Sequence, residues 1–296
     1  MVPDQDYSSS FEDKLFPQKY TFQINGRLFT CETPKVMGIV NLTPDSFYSG
    51  SRSDNSLAKA IELIERHITE GADIIDLGGY SSRPGAQEIS HTEEADRVLP
   101  VVDWLVRNHP EILISVDTFR SQIAESSVHA GAHIINDISA GDLDRDMLAT
   151  IGKLKVPYIA MHMKGNPKTM QSQTDYSNIL TDIMHYFAEK LEDFKKFGIK
   201  DVIIDPGFGF AKTVSQNFWI LRNVELFKAF AVPVLIGLSR KSMIYKTLHI
   251  DSSEALNGTT ALQMFALTKG ANLLRVHDVK EARQTIELYN TLYPKT

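Results

Sequence analysis

The stretch DIIDLGGYSSRPGAQEISHTEEADRVLPVVDWLVRNHPEILISVD, residues 73–117, holds one complete repeat of the pattern that governs the chain. Two short apolar runs, DIIDL (73–77) and ILISV (112–116), enclose an amphipathic helical pattern at 93–108. Neither run alternates cleanly between apolar and polar positions, which is how strands buried on both faces of a parallel sheet read. Outward from this unit the same kind of run recurs as VMGIV (36–40), HIIND (133–137), YIAMH (158–162), VIID (202–205), VLIGL (234–238) and NLLRV (272–276). Helical patterns at 57–70, 120–130, 179–197, 216–230, 254–269 and 279–292 fall between or after these runs. Eight such strands alternating with helical patterns predict an α/β fold, a parallel eight-stranded (β/α)8 TIM barrel, in preference to an open doubly wound sheet. Upstream, YTFQINGRLFTCE (20–32) sets Asn25-Gly26 between two alternating stretches, the signal for a β-hairpin with a type I′ turn that would cover the barrel's bottom. Residues 1–18 lack periodicity and read as a loose leader, and with no internal low-complexity linker, 19–296 read as one catalytic domain.

Composition narrows the function. With 31 basic and 37 acidic residues the formal net charge is -6, so there is no broad electrostatic footprint for nucleic acid or an anionic membrane. The single cysteine, Cys31, excludes an intramolecular disulfide and any Cys-based zinc site, and fits a reducing compartment. The N-terminal residues are polar and acidic, unlike a secretory signal, and no apolar run reaches the length of a membrane span, which makes the cytoplasm the default expectation. No Gly-x-Gly-x-x-Gly follows a strand and no Walker-type loop occurs, so the commonest nucleotide-binding readings lose their support.

In a barrel of this type the active site lies where the strands end, because the eight βα loops converge there. The strand ends carry Asn41, Asp76 with Ser81 to Gly85, Asp117, Asn136-Asp137, His162, Asp205, Ser239-Arg240-Lys241-Ser242, and Arg275 with His277. Taken singly, many of these are explained as helix N-caps or turn residues, and His162 as a packed barrel residue. That explanation fails for Arg83, Lys241 and Arg275, three cations on one face of a net-negative protein, which point to an anionic substrate. Asp117, Asn136 and Asp205, from three different strands, match either a flat heterocycle rich in N–H donors or a divalent cation.

The segments MGIVNLTPDSF (37–47), IIDLGGYSSRPGA (74–86), SVDTF (115–119), INDIS (135–139), MHMKGNP (161–167), DPGFGFAK (205–212), LSRKS (238–242) and RVHDV (275–279) closely resemble the dihydropteroate synthase family, in its order, from Lys35 to the C-terminus. The resemblance implies a transferase that joins 4-aminobenzoate to (7,8-dihydropterin-6-yl)methyl diphosphate, releasing pyrophosphate in folate biosynthesis, and that is a target of sulfonamides. Carried over by motif, Asp117, Asn136, Asp205 and Lys241 resemble the pterin contacts. Arg275 and His277, with Ser82, resemble the pyrophosphate contacts. Phe47, Ser82, Arg83, Pro84, Phe210 and Ser242 resemble those around the aminobenzoate, and Asn41 the residue that helps hold Mg2+. Lys241, Arg275, His277 and Asp117 are then the residues expected to carry the chemistry. The family also implies a homodimer. Tyr80 departs from a frequent Glu, Ser82 from a frequent Thr, and 48–51 from a common Ser-Asp-Gly-Gly. The alternative is a pterin-dependent methyltransferase acting on a methylated folate and a corrinoid, which has no need of the combined Ser-Arg-Pro-Gly, Ser-Arg-Lys-Ser and Arg-Val-His segments.

Overall fold

The structure is a computed structural model that describes residues 20–24, 27–43, 54–81 and 87–294. The leader 1–18, the Asn25-Gly26 turn, Phe47, and Ser82, Arg83 and Pro84 lie outside the described residues. Eight parallel strands follow the hairpin: β3 (Lys35–Asn41), β4 (Ile74–Gly78), β5 (Leu113–Asp117), β6 (Ile134–Asp137), β7 (Tyr158–Met161), β8 (Val202–Asp205), β9 (Leu235–Ile236) and β10 (Leu273–Val276). Seven sheet pairings run in the order β8-β7-β6-β5-β4-β3-β10-β9. The ring closes between β8 and β9 through a parallel bridge from Ile204 to Val234, with the Ile204 N–H donating to the Pro233 carbonyl at 3.0 Å. The expected (β/α)8 TIM barrel is therefore present.

Both faces of each strand are covered, which is why the runs lack alternation. Outward residues such as Val36, Leu77, Val116, Ile135, Ile204 and Val276 join one large core with the surrounding helices. Inward residues Met37, Ile74, Ile134, Ile159, Ile203, Leu235 and Leu273 form a second core at the bottom, completed by Phe22, Ile24 and Cys31. Phe22 and Ile24 come from β1 (Thr21–Ile24), which pairs antiparallel with β2 (Arg27–Thr30) in the register Ile24↔Arg27, so the hairpin plugs the barrel floor. Full burial of each such side chain is worth about 1.5–3 kcal/mol.

The helices are α1 (Asp54–Thr69), α2 (His91–Asn108), α3 (Ser121–His129), α4 (Met147–Leu154), α5 (Ile179–Lys196), α6 (Val214–Arg222), α7 (Ser242–Leu248), α8 (Leu256–Thr268) and α9 (Val279–Leu292). Two sequence expectations need correction. The pattern at 216–230 is not one helix: α6 stops at Arg222, Asn223 caps it, and a 3-10 segment, Val224–Phe230, continues. The Asn223 side chain donates to the Trp219 carbonyl at 2.8 Å, satisfying a last-turn acceptor and ending the regular ladder. The short helix α4 carries no long periodic signal and was not anticipated.

Candidate active site

Alternation along each strand sets which residues enter the barrel, so a residue two places beyond an inward apolar residue also faces inward. Ile74 is followed by Asp76, Ile134 by Asn136, Ile203 by Asp205, and Leu273 by Arg275. The floor is thus apolar and the layer above it polar. The neighbour of Asn136 shows the opposite outcome. Asp137 faces away and brackets its own loop, accepting from the Tyr158 hydroxyl at 2.7 Å, the Ser139 N–H at 2.7 Å and the Gly141 N–H at 2.9 Å.

Arg275 is the centre of the mouth. Its Nε donates to Asp76 Oδ2 at 2.6 Å and its Nη2 to Asp117 Oδ2 at 2.7 Å. Asn136 Nδ2 also donates to Asp76 Oδ2, at 3.2 Å. Asp76 is fully buried, and its other oxygen has no partner among the described residues. Arg275 is therefore held by two carboxylates as well as lying where an anion would meet it. Burial pushes the Asp117 carboxyl up to about 7, against the opposing pull of Arg275. The carboxylates beside Arg275 hold its guanidinium firmly protonated despite burial.

Across the mouth, Asp205 accepts from the Gly207 N–H at 2.7 Å, and burial raises its pKa while Lys241 draws it down. Burial lowers the Lys241 ammonium to about 8, partly offset by Asp205. The Lys241 Nζ donates to the Phe208 carbonyl at 2.5 Å and sits 4.9 Å from the centre of the Phe210 ring. Lys241 is the residue before α7, and Ser242 is its first residue. Arg240 turns the other way: Nε and Nη2 pair with the two oxygens of Asp278 at 2.8 and 2.9 Å, tying the loop after β9 to the loop after β10. The same two loops meet again where the His277 N–H donates to the Ser239 hydroxyl at 3.3 Å. His277 itself is exposed at the rim, two residues beyond Arg275. Asn41 ends β3 with its carboxamide oxygen over Gly78, where a Cβ would come within 3.5 Å of it.

The structure thus brings together Asn41, Asp117, Asn136, Asp205, Phe210, Lys241, Ser242, Arg275 and His277 at the strand ends. The sequence places Asp76 among the strand-end polar residues but assigns it no role in the site; the structure gives it one, as the buried partner of Arg275. The sequence reading missed two supports. Arg120 Nη1 pairs with the buried Glu94 at 2.8 Å, its Nη2 donates to the Ile89 carbonyl at 2.8 Å, and its guanidinium lies 5.2 Å from the Tyr80 ring centre. It therefore grips both flanks of 82–86, and Tyr80, the departure noted above, is one of its contacts. Lys212, buried beside His162, is the second support. Among the described residues no cluster of three or more His, Cys, Asp or Glu side chains is suited to hold a metal.

Residues 37–277 match the family model described as pterin binding enzyme. The dihydropteroate synthase of Escherichia coli (strain K12) is 42% identical over 277 residues, which cover 93% of this chain and 95% of that one. Among solved structures, a Yersinia pestis dihydropteroate synthase with a sulfonamide drug complex superposes with a TM-score of 0.86 at 37% identity, covering 92% of this chain and 98% of its own. A Xanthomonas albilineans dihydropteroate synthase with 4-aminobenzoic acid gives a TM-score of 0.87 at 34% identity, covering 94% and 100%. Barrel, strand-end chemistry and likeness over nearly the whole length agree: the chain belongs to the pterin-binding enzyme family and, within it, to the dihydropteroate synthases.

Proposed function

We propose that this mouth condenses 4-aminobenzoate with (7,8-dihydropterin-6-yl)methyl diphosphate to give 7,8-dihydropteroate and pyrophosphate, a transferase step of folate biosynthesis. The observation that carries the reading is the juxtaposition of buried Asn136 and Asp205 with half-buried Asp117, Lys241 and Arg275 in one layer at the mouth. Carboxylate and carboxamide groups supply acceptors and a donor for the edge of a pterin. Asp205 Oδ2 is the oxygen left over once Gly207 has engaged Oδ1.

In the reaction the C–O bond to the diphosphate breaks with its electron pair leaving on oxygen. The arylamine nitrogen forms the new C–N bond and loses a proton. Positive charge developing at the pterin's exocyclic carbon is stabilised by the nearby carboxylates Asp117 and Asp205, and the departing pyrophosphate by Arg275 and His277. No enzyme nucleophile is needed, and Cys31, at the barrel floor with its thiol pushed up to about 12 by burial, is placed and tuned to be inert. Phe47, Ser82, Arg83, Pro84, Phe210 and Ser242 complete the aminobenzoate side in this reading.

A single neutral protein oxygen, Asn41 Oδ1, with no metal-holding carboxylate cluster among the described residues, suits Mg2+ brought in on a diphosphate, since that ion keeps waters and phosphate oxygens as ligands. Asn41 would hold it, and the ion would supply charge neutralisation at the leaving group. We extend the reading to a cytoplasmic homodimer. No described helix is long and apolar enough to cross a membrane, and Trp219, Leu226, Leu248 and Phe265 are exposed apolar side chains on neighbouring helical segments available to a second copy. Pyrophosphate release measured with and without 4-aminobenzoate tests the reaction: release that depends on the arylamine supports it, and release indifferent to it contradicts it. Sulfonamides should raise the apparent KM for aminobenzoate without lowering kcat.

A further inference from the structure

The loop after β8 is built around a buried lysine. Gly207, Gly209 and Ala211 all take positive φ, at 74°, 83° and 50°, so the chain doubles back and its carbonyls diverge. The Gly207 and Phe210 carbonyls both accept from Lys212 Nζ at 2.9 Å. The same amine reaches His162 Nδ1 at 3.0 Å and the His162 carbonyl at 3.3 Å, which ties the loop to the end of β7. Gly207 packs so closely there that a Cβ would lie 2.1 Å from the His162 carbonyl oxygen. Between the two carbonyls held by Lys212 lies Phe208, whose carbonyl accepts from Lys241, and beside it Phe210, whose ring lies under the Lys241 amine.

A lysine with only 6% of its surface exposed is costly unless it is fully hydrogen-bonded, and here four acceptors surround three N–H donors. None of them is a carboxylate, so the amine is not held by an ion pair among these contacts. Burial lowers its pKa to about 7. A methionine would fill much of the same space without the desolvation cost, so stability alone does not account for an amine at this position. The loop's other carbonyls are also taken: Gly209 accepts from Gln171 at 3.4 Å and Ala211 from the Tyr176 hydroxyl at 3.0 Å. The peptide that seats Lys241 also has its Gly209 N–H donated to Asn217 Oδ1 at 2.8 Å, but among the described residues only Lys212 binds carbonyls on both sides of it.

We propose that Lys212 is a positioning residue for the pterin site: by clamping the Gly207 and Phe210 carbonyls onto the end of β7, it presents the Phe208 carbonyl and the Phe210 ring that hold the Lys241 amine beside Asp205. The proposal rests on the reading of Lys241 as a pterin contact. It makes Lys212 act through Lys241, without touching substrate itself.

A double-mutant cycle separates this from a merely structural role, because residues that act through one another are not additive. Pterin-diphosphate affinity by calorimetry, kcat/KM and melting temperature are measured for wild type, K212M, K241M and the double variant. K212M should weaken pterin binding about tenfold in the wild-type background and less than threefold in the K241M background. The full factor appearing in both backgrounds, or a lowered melting temperature with pterin affinity unchanged, would overturn the proposal. Where K212M does not fold, K212Q, which keeps amide donors near the two carbonyls, is put through the same cycle with the same criteria. Unchanged pterin affinity in K241M alone would overturn the reading of the site and this proposal with it. A loss in K241M with full additivity of the Lys212 variant overturns this proposal alone.

Discussion

The two ends of the same barrel solve opposite problems with the same eight strands. At the floor, seven inward apolar side chains meet Phe22, Ile24 and Cys31 of the hairpin segment, and the core they form is apolar, with the Lys35–Asp73 ion pair at its edge. One layer higher, Asp76, Asp117, Arg275, Asp205 and Lys241 crowd together, Asp76 and Asp205 buried and the other three half-buried. The floor is stable because its groups have no hydration to lose. The mouth tolerates burial because each charge has an opposite partner, an arrangement that adds little net stability but fixes geometry and presents charge to a ligand. Stability and function are thereby assigned to different ends of each strand, and substitutions at the two ends should separate them.

The largest effect is expected for Arg275→Ala, which leaves the fully buried Asp76 without its cation. Unfolding free energy should fall by about 3–5 kcal/mol, and kcat/KM should fall a hundredfold or more, as denaturant melts and steady-state assays will show. Near-normal kcat/KM would remove Arg275 from the mechanism. Phe22→Ala, at the floor, should cost about 3 kcal/mol of stability while leaving KM for both substrates within twofold. A change in KM from that substitution would erase the division between the ends.

The pH dependence sharpens the same contrast. Asp117, raised to about 7, takes up a proton as pH falls and so loses its carboxylate below that value. Lys241, lowered to about 8, loses its charge as pH rises past it. Activity in kcat/KM for the pterin substrate should therefore peak between about 7 and 8 and fall up to tenfold per unit on either side, with both limbs belonging to the coupled cluster. Asp117→Asn should remove the acidic limb. A profile flat from pH 6 to 9 would contradict the assignment.

The barrel was legible because unbroken apolar runs and intervening helical periods report burial directly, and the last helix, Val279–Leu292, fell where its pattern placed it. Strand-end polar residues were legible for the same reason, since parity follows from the strand. Asp76 was legible as a strand-end residue but its role was not, because that role lies in contact with Arg275, 199 residues away in sequence, and no local pattern encodes that. Lys212 escaped because a lysine three residues beyond Gly209 reads as surface, and only the left-handed turns at Gly207, Gly209 and Ala211 fold its amine inward. The break at Asn223 escaped because apolar periodicity continues through the 3-10 segment after the backbone has changed.

The central claim, that the polar layer recognises a pterin, is tested most directly by calorimetry of pterin diphosphate with Asp205→Asn. The Gly207 N–H keeps the remaining amide oxygen in place, so the substitution turns the free acceptor into a donor at nearly constant volume. Affinity should fall by about 2 kcal/mol, roughly thirtyfold, because a buried N–H of the ligand loses its acceptor. An unchanged dissociation constant would place the pterin elsewhere and contradict the account.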